Sequence, residues 1–408
     1  MRTVKVLLAT GAVLGLTATA LIAAPAAQAV PPITIWTDAV HAPVISALLA
    51  NGYRGAPVSV VTKDLTAIRD ELAVVPAASA PDLIWADATW TGQLAAVGSI
   101  VPVPLTKKVT ASFRTSALSG FQVGTTGYGM PVQVSNLALI TNVALVPSPP
   151  TTFADLSSTA LALTSAGKAK VPFAVGQGGD SDGYAMYPMF SGLGGYYFGK
   201  TVDGVWDPTD VGLANRAFLK NSVLIDSWNA SGLINAALTA QAAQRAFAKQ
   251  KSPFWLAGPE DMAALLKLNF VYRITAVPPI VASLKTSPLL RLQGFMVTKY
   301  AAEHGVQALA AKLAGGFMAQ PGAQLALAGV AGLIPANRTA VAQVVEKRLQ
   351  AIDLAGVDGV PIPNIPQMSQ VWGPSGTAWV TSTAGVGATL AKPAFKAAQK
   401  AVKAALGQ

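Results

Sequence analysis

Three short apolar runs, Ile33-Thr34-Ile35-Trp36, Val58-Ser59-Val60-Val61-Thr62 and Asp82-Leu83-Ile84-Trp85, are separated by helical stretches at Val44 to Asn51 and Thr66 to Val75. Apolar runs of this length, too short for helices, read as strands, the first of them buried. The helical stretches supply the crossovers that parallel strands need. This segment is therefore expected to form an α/β fold, with a parallel-rich sheet flanked by helices and ligands bound beyond the carboxyl ends of the strands.

Ahead of the first strand, Arg2 and Lys5 precede an apolar run from Val6 to Ala24, and Ala27-Gln28-Ala29 offers small residues for signal peptidase. Residues 1–29 are read as a signal peptide, so the protein is expected to be exported, to the periplasm or to the cell envelope. Cleavage leaves 379 of 408 residues, enough for two lobes. The chain has no cysteine, which excludes disulfides, thiolate catalysis, thiolate metal sites and lipid attachment through a cysteine. Basic residues outnumber acidic ones 29 to 19, or 27 to 19 without Arg2 and Lys5. Only 12% of residues are charged, and apart from Lys392, Lys396, Lys400 and Lys403 the basic positions are scattered. A solvated helix face accounts for those four, and no nucleic-acid partner is expected.

Farther along, Tyr128 to Val132 and Leu137 to Thr141 read as extended pieces, and Pro147-Ser148-Pro149-Pro150 forbids regular structure, which places a lobe boundary in this neighbourhood. A second region carries a Gly- and Tyr-rich stretch from Gly176 to Gly199. Helices are expected at Val211 to Trp228 and Ala236 to Lys249, and strands at Phe254 to Leu256, Ile274 to Val277 and Gln293 to Thr298. The helix Gln307 to Met318 then leads to a break at Ile334-Pro335.

No catalytic constellation survives inspection. His41 and His304 are far apart and lack carboxylates at metal-ligand spacing, so neither a metal nor a cofactor is expected. Asp180-Ser181-Asp182-Gly183 opens like a calcium loop, but its twelfth position is Ser191 where a glutamate is required. Ser165-Ala166-Gly167-Lys168 and Lys285-Thr286-Ser287 echo penicillin-recognising enzymes without the intervening Ser-Asp-Asn element. The paired carboxylates Glu260/Asp261 and Asp180/Asp182 sit in polar loops, as solvated acids do. Trp90, Tyr184, Tyr187, Trp255 and Trp372 lie near loop signals with polar neighbours. As a group they suit a cleft in which flat rings meet sugar faces.

At Pro363-Asn364-Ile365-Pro366-Gln367-Met368-Ser369 and Trp372 the chain resembles the maltose-binding protein family, the sugar receptors of ABC importers. Ala80 to Ile84, Met130-Pro131-Val132, Leu139 to Asn142, Pro149 to Leu156 and Ala257-Gly258-Pro259 follow in the family's order. The resemblance implies a two-lobed type II fold, with 30–137 plus 294–340 in one lobe and 138–293 plus 341–408 in the other. It further implies a monomer that closes on a carbohydrate ligand and delivers it to a membrane permease, and no enzyme activity. Tyr184, Asp182 and Trp372 match a stacking tyrosine, a hydroxyl-binding acid and a cleft tryptophan, and Asp38 and His41 follow the first strand. Asp87, Trp90, Asn136 and Glu260 stand where the pattern departs from maltose binders, and are expected to refit the cleft for a related sugar. A same-fold receptor for a polyamine, amino acid or metal is the alternative, and a secreted hydrolase a more distant one.

Overall fold

The computed structural model describes residues 30–177 and 183–408; the signal-peptide reading at 1–29 and the acids Asp180 and Asp182 lie outside the described residues. Strand Ile33–Thr37 runs parallel to Val58–Thr62 on one side and to Leu83–Asp87 on the other, with Ile35 opposite both Val60 and Leu83. Helices Ala42–Leu48 and Leu65–Leu72 make the crossovers. Successive side chains go to opposite faces. Leu83 and Trp85 join Ile33, Ile35 and Phe295 in one core, while Ile84 and Ala86 join Trp36 and Met296 in another.

A long strand, Leu289–Thr298, returns from late in the chain and inserts antiparallel between Leu83–Asp87 and Gly129–Ser135. The register slips between Gln293 and Gly294, where the partner is Pro131, a residue with no N–H to donate. Gly294 is demanded by the close approach, since a Cβ there would lie 2.0 Å from the Met130 carbonyl oxygen. Ile334–Pro335 closes the edge against Val134 and Gln133, so the expected break is a short strand.

The second lobe departs from the parallel expectation. Its three-stranded sheet is antiparallel throughout, with Ala138–Asn142 between Phe254–Ala257 and Tyr272–Thr275. Its core is aromatic, with Phe190 against Phe218 at 4.8 Å, Tyr197 at 5.6 Å and Phe395 at 5.8 Å between ring centroids. The glycines of the Gly/Tyr-rich stretch let rings press on backbone, for a Cβ at Gly195 would fall 2.3 Å from the Phe190 ring.

Some helices are shorter than the periodicity suggests. Val211 ends strand Trp206–Val211, and the helices behind it are Arg216–Asn221, capped by Asn215, and Val223–Ala230. Thr239 caps Ala240–Ala248, and Gln307–Lys312 passes into a π-helical turn at Leu313–Phe317. The chain passes between lobes at Asn136, near Leu289 and around helix Lys347–Ala355. Asn136 fastens this junction. Its side chain is 1% exposed and donates to the Ile352 carbonyl at 2.9 Å, with Gly356 packed directly against it.

Candidate functional site

A cavity of 470 Å³ opens between the lobes. From the large sheet it receives Asp87, at the end of its strand, Gln133 to Ser135, at the end of theirs, and Arg291 and Gln293. Because Leu289–Thr298 runs antiparallel, its first half lies at the carboxyl edge of the neighbouring strands. All these side chains therefore emerge at one edge of the sheet, where open α/β folds bind ligands. The facing wall brings Glu260, from a short turn after strand Phe254–Ala257, and Trp372, the first residue of helix Trp372–Ser382.

The polar groups are tied together. Gln133 donates from Nε2 to Gln293 Oε1 at 2.6 Å, and its Oε1 lies 3.2 Å from His41 Nε2. His41 Nδ1 meets the Asp38 carboxylate at 2.8 Å, and its ring stacks on Trp85 with centroids 4.0 Å apart. Burial works to raise the Asp38 carboxyl, but the hydrogen bond and charge of His41 outweigh it and hold the group below its ordinary value. Asp87 Oδ1 accepts from the Thr89 N–H at 2.9 Å and hydroxyl at 2.7 Å. Burial lifts the Asp87 carboxyl above its ordinary value in spite of those bonds and the nearby Arg291 charge. Glu260 accepts the Ser135 hydroxyl, a direct link between the two lobes. Arg291 lies over the Tyr184 ring, 4.3 Å from its centroid, and Trp372 meets Tyr197 edge-on at 5.5 Å.

Of the residues singled out in the sequence, Asp87, Glu260 and Trp372 line the cavity. His41 stands one bond behind it, on Gln133, and Asp38 one bond farther back, on His41. Tyr184 is 9% exposed and sits beneath Arg291. Trp90 does not line the cavity. It is 8% exposed and packs in the core beneath the large sheet, with Arg69 over its ring. Asn136 is a fastening of the junction, and Asp182 is not among the described residues. Tyr187 and Trp255, grouped with the cleft aromatics, are core residues too. The sequence reading missed Gln133, Arg291 and Gln293. Each sits inside an apolar strand run, and a polar side chain in a run otherwise buried on both faces was the available signal.

Amides, carboxylates and a guanidinium around a cavity with an indole on one wall can hydrogen-bond a polyol from several sides while a flat ring covers an apolar face. Among the described residues no group of three His, Cys, Asp or Glu could hold a metal ion.

The chain is 25% identical over 317 residues to the galactooligosaccharide-binding protein of Bacillus subtilis, covering 76% of this chain and 74% of that one. It is 26% identical over 311 residues to the maltodextrin-binding protein MdxE of the same species, covering 73% and 71%. The fold superposes on the maltose-binding periplasmic protein of Listeria monocytogenes, solved with maltose, with a TM-score of 0.76 at 23% identity, covering 93% of this chain and 98% of that one. An extracellular solute-binding protein of Staphylococcus aureus, also solved with maltose, gives 0.80 at 21% identity, covering 92% and 98%. The family profile of the bacterial extracellular solute-binding proteins matches residues 49–351. With its two lobes and the cavity between them, the chain belongs to the bacterial extracellular solute-binding proteins.

Proposed function

We propose that this protein is the receptor of an ABC sugar importer, capturing a disaccharide or short oligosaccharide of the maltodextrin or galactooligosaccharide kind and passing it unchanged to a membrane permease. The observation that carries this reading is the composition of the inter-lobe cavity. Glu260 and Trp372 face the amide pair Gln133/Gln293 and Asp87 across it, so a bound sugar touches both lobes at once. Contacts available from both sides favour the shut state over the open one, and the binding free energy shifts that equilibrium. The expected boundary at 293/294 shifts to the start of strand Leu289–Thr298, whose Arg291 and Gln293 belong to the large sheet, so that the lobes divide as 30–137 with 289–340, and 138–288 with 341–408; the receptor works as an exported monomer without a catalytic step.

A thermal-shift screen of the purified protein tests the reading. A ligand at 100 times its dissociation constant adds about 2.7 kcal/mol of stability, so maltodextrins or galactooligosaccharides are expected to raise the melting temperature by several degrees. A shift with polyamines or amino acids and none with any sugar contradicts it. Sugar returned hydrolysed would make the protein an enzyme instead.

A further inference from the structure

The C-terminal helix Ala391–Ala405 has two unlike faces. Ala391, Ala394, Phe395, Ala398 and Val402 are buried in the second lobe. Lys392, Lys396, Lys400 and Lys403 follow one another at turn spacing on the other side, the first three exposed and Lys403 half-buried. Four residues at 1.5 Å rise put neighbours about 6 Å apart along the axis, in a row about 16 Å long. Among the described residues, no acidic side chain is paired with the row. No acidic residue occurs after Asp358, and none of the four lysines takes part in an ion pair among the described residues. Asp226 is engaged with the Ala391 N–H at the start of the helix, and Asp210, in the strand packed against it, with the Tyr196 hydroxyl.

Lys396, Lys400 and Lys403 also converge. They line a hollow of 420 Å³ between the helix and the segment after strand Trp206–Val211, walled also by Ala214, Gln399, Ala404 and Gln408 and without any acidic side chain. Gln399 accepts the Ala214 N–H at 2.7 Å and Gln408 donates to the Pro208 carbonyl at 2.9 Å, which fixes the helix and thus the row. We propose that this lysine row is a docking surface for a linear, phosphate-bearing polyanion, such as an anionic polymer of the cell envelope. A bilayer fits less well. The apolar face of the helix is spent on the lobe core and only Val386 and Leu390 ahead of its first turn are exposed, too little to anchor the helix in the acyl region, and a hollow admits a chain segment where a flat membrane only touches its rim. The surface is separate from the inter-lobe cavity and stands whatever solute that cavity holds.

The test is fluorescence anisotropy of labelled long-chain inorganic polyphosphate with the purified protein. Two variants of equal net charge are compared, Lys396→Gln/Lys400→Gln/Lys403→Gln and the control Lys107→Gln/Lys108→Gln/Lys312→Gln on the other lobe. The row variant is expected to lose at least tenfold in affinity and the control less than threefold, with both retaining the wild-type melting temperature. Three phosphate contacts give a salt slope near −2, so wild-type affinity should drop roughly 16-fold from about 50 to 200 mM salt. Equal losses in the two variants would reduce the effect to net charge and overturn the proposal, as would no binding at low salt. Tighter binding to phosphatidylglycerol vesicles than to polyphosphate at matched phosphate would overturn the choice of polymer over membrane.

Discussion

Trp372 is the one aromatic ring of the second lobe that lines the inter-lobe cavity among the described residues, and its edge contact with Tyr197 holds it in place. Truncating a desolvated aromatic anchor removes its stacking and leaves the ligand face wet. Trp372→Ala is expected to weaken sugar binding by about 2 kcal/mol or more, roughly 30-fold in dissociation constant, read at a temperature where the variant is still folded. Calorimetry showing unaltered affinity would place the sugar elsewhere. His304 carries a prediction of a different kind. Its Nδ1 lies 2.8 Å from the fully buried Asp82 carboxylate and its Nε2 2.8 Å from the Ala77 carbonyl, so both nitrogens face acceptors and the doubly protonated ring satisfies both. Burial opposes the charge, but the Asp82 and Ala77 bonds outweigh it and raise the His304 pKa above its ordinary 6.5. A raised folded-state pKa contributes stability that is complete below the unfolded value and is lost as pH climbs through the folded one. The melting temperature should therefore fall across that window, and His304→Gln should flatten the fall; an identical pH profile in the variant would contradict this. At this scale the site was half legible. Asp87 and Glu260 were singled out only by where the chain departs from the family pattern and Trp372 by that pattern and its loop signals, and all three line the cavity, whereas Trp90, Tyr187 and Trp255 share the loop signals and point inward. Residue order does not tell which way a ring faces.

Strands Ile33–Thr37 and Leu83–Asp87 were legible because they are largely buried on both faces and carry little polar alternation, whereas the edge strand Val58–Thr62, partly exposed along its length, was legible from its β-branched residues. Strand Leu289–Thr298 was seen only in its second half, since Arg291 and Gln293 break the apolar run where the strand enters the cavity. Function thus hid part of the element that serves it. The helix expected from Val211 to Trp228 lost its beginning to a strand, because Asn215 offers a better start by accepting the Phe218 N–H at 3.1 Å. Gly294 tests the strand insertion directly. With Met130 backbone 2.0 Å from any added Cβ, Gly294→Ala should destabilise by about 1–3 kcal/mol in urea unfolding. Gly329→Ala, in a helix with open space around it, should instead stabilise by about 0.5–1 kcal/mol. A neutral Gly294→Ala would mean that the two strands do not approach as closely as described.

For the molecule as a whole, two lobes were legible from length and repeated patterning, but their joining was not. Pairings such as Arg291 with Ser135, and the buried bond from Asn136 to Ile352, link positions far apart in the chain through single residues with no local signature. Those same crossings set the two walls of the cavity facing each other, in position to hold a solute between them. Titration calorimetry of the purified protein with maltotriose and with a galactooligosaccharide tests this most directly. At least one of them should bind with one-to-one stoichiometry and a dissociation constant near micromolar, about −8 kcal/mol. Absence of binding heat with both, at several temperatures, together with saturable binding of an amino acid or polyamine, would contradict it.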